Sequence, residues 1–325
     1  MSKVNSAIGI EYNSHEIRAI ELAKDDHGSY TITAYGRETL DKNVMANGII
    51  SDASLFGVTL NDLLSKGKFN ASAPVVVGVN NENVIMRYAT FPKVPDDKLR
   101  SVITMQAQDF IPVPVSELGL DFVVIDETTD DDDQPALNVL LVGARNTMLQ
   151  NLIQNFEASK REVIDIDSSF LAWCRVAIAE AKDDETFGFI KLTDDVLNFV
   201  AIADKEIKMV RSINIPDRAA VEVKKAFDDA DDIIGSELDI IADLVYSELS
   251  SSISYFQMQS GYIVNSVLFS AATDLEKDLA DRIAEKAYVP LTIPKFYGEY
   301  SEAGFDACDY AGCISLAKVA LEGQE

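Results

Sequence analysis

The sequence predicts an α/β protein made of two similar halves, with a separate α+β unit inserted between them. Three observations carry that expectation. Strand-like and helix-like hydrophobic periods alternate along the whole chain. A hairpin followed by helices occurs near the start and again past the middle, as duplicated domains facing across a cleft require. And 325 residues, 47% of them hydrophobic, are too many for one small core but can bury several.

The elements follow in order. Ile8 and Ile10 lead into a polar turn of Tyr12, Asn13, Ser14 and His15, after which Ile17, Ala19, Ile20 and Leu22 resume a strand and complete a hairpin. Tyr30 to Thr39 continues the sheet, and a loop through Asn47 and Gly48 leads to a helix over Leu55 to Leu64. Pro74-Val-Val-Val-Gly-Val79 is apolar and short enough for a buried strand. From Asp96 to Phe110, Leu99, Val102, Ile103, Ala107 and Phe110 share a helical face, with Asp96 or Asp97 as N-cap and Pro112 and Pro114 as the stop.

Strands at Leu120 to Ile125 and Leu137 to Val142 flank Asp130 to Asp133, a run that lacks the spaced ligands and turn glycine of a calcium loop and reads as a solvated hairpin tip. A helix at Thr147 to Phe156 and a strand at Val163 to Ile166 close this unit. Asp167 and Ser168 then cap a helix carrying Phe170, Leu171, Trp173, Cys174 and Ile178. Trp173 and Met105 are read as core, since lone aromatic and Met residues at helical spacing pack.

Phe187 to Ile202 and Ile207 to Ile215 repeat the apolar hairpin. A long amphipathic helix runs from Ser236 to about Gln259, then a strand at Val264 to Ser270 ends at Ala271, Ala272 and Thr273. Helices at Asp274 to Ala287 and Tyr310 to Leu321 complete the chain. The expected division is a first lobe of residues 1–74 and 168–183, an inserted unit of 75–167 and a second lobe of 184–325.

Composition excludes several functions. A net charge of −26 repels nucleic acid and anionic lipid, both polyanions. His15 and His27 are the only histidines, too few for a Cys/His metal site or a Ser-His-Asp triad. Cys174, Cys308 and Cys313 lack paired spacing and suit a reduced, cytoplasmic compartment. Without a long apolar run or a signal-like start, direct membrane insertion is not expected, and any membrane association comes through a partner.

Ordered residues then carry a resemblance. Gly9-Ile10-Glu11 with Asn13-Ser14 and Ile17-Arg18-Ala19-Ile20-Glu21-Leu22 resembles the first phosphate hairpin of the type IV pilus assembly protein PilM family. That family is related to FtsA within the actin and Hsp70 ATPase superfamily. Phe91-Pro92 to Leu99, Gln106, Phe110-Ile111-Pro112-Val113-Pro114, Leu120-Asp121-Phe122 and Val139 to Arg145 are similar to its inserted subdomain. The resemblance implies an actin-like (ribonuclease H-like) fold of two lobes with an FtsA-like insertion. It also implies a cytoplasmic scaffold of a type IV pilus, or of a related secretion or competence machine. In the family such a scaffold binds the cytoplasmic tail of the inner-membrane protein PilN.

Family members bind ATP in the cleft on three turns, and each departs here. Glu11 stands in place of Asp, and Asn13, beside Ser14, in place of Gly. In the second hairpin Lys191 replaces an acid, Thr193 a glycine, and Asp194 and Asp195 small or hydroxyl residues; two carboxylates there repel a triphosphate. In the third turn Ala271, Ala272 and Thr273 replace a glycine run. The expectation is a pseudo-ATPase: no cofactor, ATP with magnesium disfavoured, no metal, no hydrolysis. The partner groove is expected beside Phe110 and Ile111, where two prolines leave a rigid ledge for an extended peptide. An ATPase using Lys191 as phosphate contact and an FtsA-like filament former are the alternatives.

Overall fold

The computed structural model describes residues 6–130, 132–193, 196–214, 235–301 and 303–323. Two five-stranded sheets with the same plan form its frame. The first contains β1 (Ser6–Tyr12), β2 (Glu16–Lys24), β3 (Tyr30–Thr39), β6 (Val75–Val79) and β10 (Val163–Ser168), in the order β10-β6-β1-β2-β3. The second contains β11 (Phe187–Leu192), β12 (Val196–Ala203), β13 (Glu206–Asn214), β14 (Ser266–Phe269) and β15 (Leu291–Thr292), in the order β13-β12-β11-β14-β15. In each, three antiparallel strands are followed by parallel additions on the far side of the first strand. The repeated hairpin seen in the sequence is thus the seed of each sheet.

Between β6 and β10 lies a three-stranded antiparallel sheet, β7 (Val84–Pro92), β8 (Leu118–Thr129) and β9 (Pro135–Arg145), in the order β7-β9-β8. It carries the helix α2 (Asp96–Gln106), whose Ile103 packs with Phe91, Ile111 and Leu141. A short hairpin, β4 (Met45–Ala46) with β5 (Ile49–Ile50), and the helices α1 (Ala53–Lys66) and α3 (Asn146–Ala158) cover one face of the first sheet. The helix α4 (Ser169–Glu180) begins at Ser168, whose hydroxyl accepts the Leu171 N–H at 3.3 Å, and buries Phe170, Trp173 and Val176 against Phe187, Phe189 and Val200. The helices α5 (Gly235–Ser260) and α6 (Asp274–Lys286) back the second sheet.

The helix α7 (Ala311–Glu322), though late in sequence, packs on β1, β2 and β6. Gly9 makes that crossing possible, because a Cβ there would run into the Cys313 carbonyl. Among the described residues no helix is long and apolar enough to cross a membrane.

Several expectations need correcting. Residues 75–79 and 163–167, placed in the inserted unit, belong to the first sheet: 75–79 pairs with β1 and 163–167 with 75–79, the wholly buried apolar run taking a central place with a strand on each side and the more polar one the edge. The strand β7 was not foreseen between them; its half-exposed pattern lacks the unbroken apolar run of its neighbour. Pro95, not Asp96 or Asp97, is the N-cap of α2, and the two acids occupy its first turn, where they favour the helix dipole. Met105 is 73% exposed rather than core, because the helix turns that side to solvent.

Candidate functional site

Glu11, Asn13, Arg18 and Asn80 from the first half and Lys191, Thr193 and Glu276 from the second line one cavity between the two sheets. Its free volume is about 20 Å³, room for about one water molecule. Small size follows from how each turn spends its own donors.

In the first turn, Asn13 Oδ1 accepts the backbone N–H groups of His15 at 2.8 Å and Glu16 at 2.9 Å. A phosphate-binding turn would offer its N–H groups to a ligand; here a side chain occupies them in an Asx turn. Asn13 does not take positive φ, so it acts through its amide, not through tolerance of strain. Ser14 Oγ lies 2.8 Å from His15 Nε2. In the second turn, the Thr193 N–H donates to Val196 O at 2.9 Å and its hydroxyl accepts the Val196 N–H at 3.2 Å. Asp194 and Asp195 lie outside the described residues.

The third turn shows the same economy. Thr273 caps α6, and Glu276 reaches back in a capping box, so that its Oε2 accepts the N–H groups of Ala272 at 2.7 Å and Thr273 at 2.9 Å. Ala271 and Ala272 are buried, 4% and 2% exposed. A carboxylate of the chain sits where an anionic ligand would take those donors.

Glu11 is equally committed. Its Oε1 accepts the indole N–H of Trp173 at 3.0 Å and the Ser169 hydroxyl, and its Oε2 lies 3.9 Å from the Arg18 guanidinium. Burial pushes its carboxyl up, but Arg18, Lys191 and the two side-chain donors outweigh burial and hold it below the ordinary value. Gly312 permits this packing, since a Cβ there would collide with Trp173 Nε1 and the Glu11 carboxylate. Trp173 is core as expected, and also a donor. Lys191 Nζ is buried, 3.4 Å from Ser270 Oγ and 5.0 Å from the Trp173 ring centroid.

At the mouth, Arg37 forks onto Glu16 and lies 3.5 Å from Asp309, which meets Lys277 at 3.4 Å. Arg37, Glu276 and Asp309 escaped the sequence reading, and Arg18 entered it only within the hairpin motif, not as a site residue. Of these only Glu276 left a signal, the Thr273-x-x-Glu276 spacing of a capping box.

A much larger opening lies between the first sheet and the inserted sheet. It has a volume of about 770 Å³ and runs between β8 and β10, each the free edge of its sheet. Leu120, Phe122, Val142, Leu149 and Leu171 contribute apolar wall, and Val123 and Ile164, 54% and 41% exposed, leave apolar surface uncovered. Arg100 pairs with Asp121 at 2.9 Å and Arg175 with Asp167 at 2.6 Å along its length. Phe110 and Ile111 are not among the lining residues. Ile111 is 2% exposed, locked in the core with Ile103, and Phe110 leans on Phe91 with centroids 5.2 Å apart, so the proline ledge presents only one partly open ring.

A family model described as type IV pilus assembly protein PilM matches residues 9–215. Among solved structures, a PilM-PilN type IV pilus biogenesis complex is similar with a TM-score of 0.80 at 16% identity, covering 98% of this chain and 99% of that one. That likeness establishes the two-lobed actin-like fold. More distant are a Bacteroides thetaiotaomicron protein of actin-like ATPase fold (TM-score 0.48, 6% identity, 89% and 91% covered) and Spiroplasma citri MreB5 bound to ADP (0.45, 12%, 99% and 99%).

Proposed function

Because the chain belongs to the type IV pilus assembly protein PilM family, we propose that it is a non-catalytic scaffold of a pilus machine, holding the extended cytoplasmic tail of a PilN-like inner-membrane partner. One observation carries the non-catalytic part: among the described residues, backbone donors in each of the three nucleotide-site turns are engaged by the chain itself, through Asn13, through Thr193 with Val196, and through Glu276. ATP would have to displace those bonds and open a space of about 20 Å³.

The groove between β8 and β10 supports the tail-binding part. Two free strand edges supply main-chain partners for an extended peptide, and the apolar wall supplies pockets for alternate side chains. The scaffold then sits in the cytoplasm, attached to the inner membrane by what it holds.

The test is a pair of titrations on purified protein. Magnesium ATP at millimolar concentration is expected to leave the melting temperature unchanged, since a ligand of the folded state alone must raise it. The PilN-like tail, as a fluorescent peptide, is expected to bind and to lose binding in Val123→Asp. An ATP-induced shift would instead establish a nucleotide-switched scaffold, and a tail that ignores Val123→Asp would remove the groove.

A further inference from the structure

The charges in the groove do not balance. Three carboxylates, Asp121, Asp165 and Asp167, line it with two guanidiniums, Arg100 and Arg175. Arg100 is spent on Asp121 and Arg175 on Asp167, at 2.9 Å and 2.6 Å. Asp165 is left over. Its Oδ1 accepts the N–H of the next residue, Ile166, at 2.8 Å, and no cation lies within ion-pair reach among the described residues.

Asp165 is also placed for contact. It stands on β10, the free edge, next to the exposed Ile164. The pairing of β10 with β6 skips Ile164 between Val163 and Asp165, and from Asp165 onward a strand added along the edge would alternate its side chains, so a residue facing Asp165 has neighbours one step away facing the other side. From this leftover charge beside exposed apolar surface, we propose that Asp165 selects a Lys or Arg on the bound tail, one that adjoins the apolar residues filling the groove. This rests on the tail-binding reading of the groove and adds to it the residue that discriminates between tails.

The surroundings support the choice of a cation. Burial first, then the charges of Asp167 and Asp121, push the Asp165 carboxyl above its ordinary value, against the Ile166 amide and Arg175. A third positive charge from the ligand relieves that crowding, three acids then facing three bases. An acidic tail would add to the repulsion and be rejected, which is specificity by penalty as much as by attraction.

The experiment is a mutant cycle with the PilN-like cytoplasmic tail as a fluorescent peptide. Each Lys and Arg of the tail is replaced by Gln in turn, and every peptide is titrated against the wild-type chain, Asp165→Asn and Val123→Asp. The expected result is one Gln peptide that binds the wild type about tenfold more weakly yet binds Asp165→Asn as well as the parent tail does. Equal losses on both proteins for every peptide, or a tail without Lys or Arg that binds fully, overturn the selection by Asp165. A tail insensitive to Val123→Asp overturns the groove itself, so the two failures are told apart.

Discussion

Asn198 Nδ2 donates to Asn80 Oδ1 at 2.8 Å, joining the end of β6 in the first sheet to the middle of β12 in the second. Asn198 is fully buried and its own Oδ1 accepts the Ser212 hydroxyl at 2.8 Å. With Arg37 donating to Ala272 O at 3.2 Å, and Lys277 beside Asp309, it closes the cleft by side chains of the chain itself.

If these contacts hold the halves together, Asn198→Ala should lower stability by about 1 to 3 kcal/mol, because Asn80 and Ser212 both lose a buried partner. Chemical denaturation measures the loss. Hydrogen exchange should show faster opening at the facing ends of β6 and β12.

Glu11 gives a prediction with a pH signature. Its folded carboxyl lies below the ordinary 4.5, so the stability it contributes is present above that value and is lost as pH falls through the lower, folded value. Glu11→Gln should cost about 3 kcal/mol at neutral pH by removing the buried negative charge shared by Arg18 and Lys191, although Arg18 keeps its pair with Glu16 at 3.2 Å. Measured as denaturation midpoints below pH 4.5, the wild type should lose stability more steeply than the variant.

The capping box gives a third. Thr273→Ala removes the cap of α6 and should cost about 1 kcal/mol. Glu276→Ala should cost more, about 2 kcal/mol, because the Ala272 and Thr273 N–H groups lose their acceptor in a largely buried turn. A denaturation series that ranked Thr273→Ala as the worse of the two would contradict the role given to Glu276.

Two variants separate the groove from the proline ledge. Phe110→Ala should leave binding of the PilN-like tail unchanged, while Val123→Asp abolishes it at little cost in stability, since Val123 is 54% exposed. The opposite pattern would return the partner site to the end of α2.

The frame of the molecule was legible in the sequence wherever a period was long and clean. Tyr30–Thr39 matches to the residue, and the hairpin at Ile8 to Leu22 reappears as β1 and β2. What failed had physical reasons. Residues 75–79 were assigned to the wrong sheet because an apolar run says that a strand is buried, not which strands bury it. Met105 was misplaced because helical spacing alone does not say which side a helix turns to the core.

In the cleft, the replaced glycines could be named, but the bonds that replacement created could not. That Asn13 folds its amide over its own turn, and that Arg18 and Asp309 meet across some 290 positions of sequence, with Arg18 Nη1 donating to Asp309 O at 2.7 Å, are facts of three dimensions. The groove was invisible for the same reason. It belongs to two strand edges, and an edge is defined by the partner it lacks.

The packing of α7 on β1 bears on how the protein is made. The glycine-to-carbonyl crossing at Gly9 and Cys313 means that one face of the first sheet is covered only in part, by α4, until the last described helix arrives. At about 5 to 20 residues per second, the ribosome leaves Ala7, Ile20, Leu22 and Val76 waiting for on the order of 15 to 60 seconds. For that interval the nascent first lobe is a half-dressed surface, a natural client for a holding chaperone.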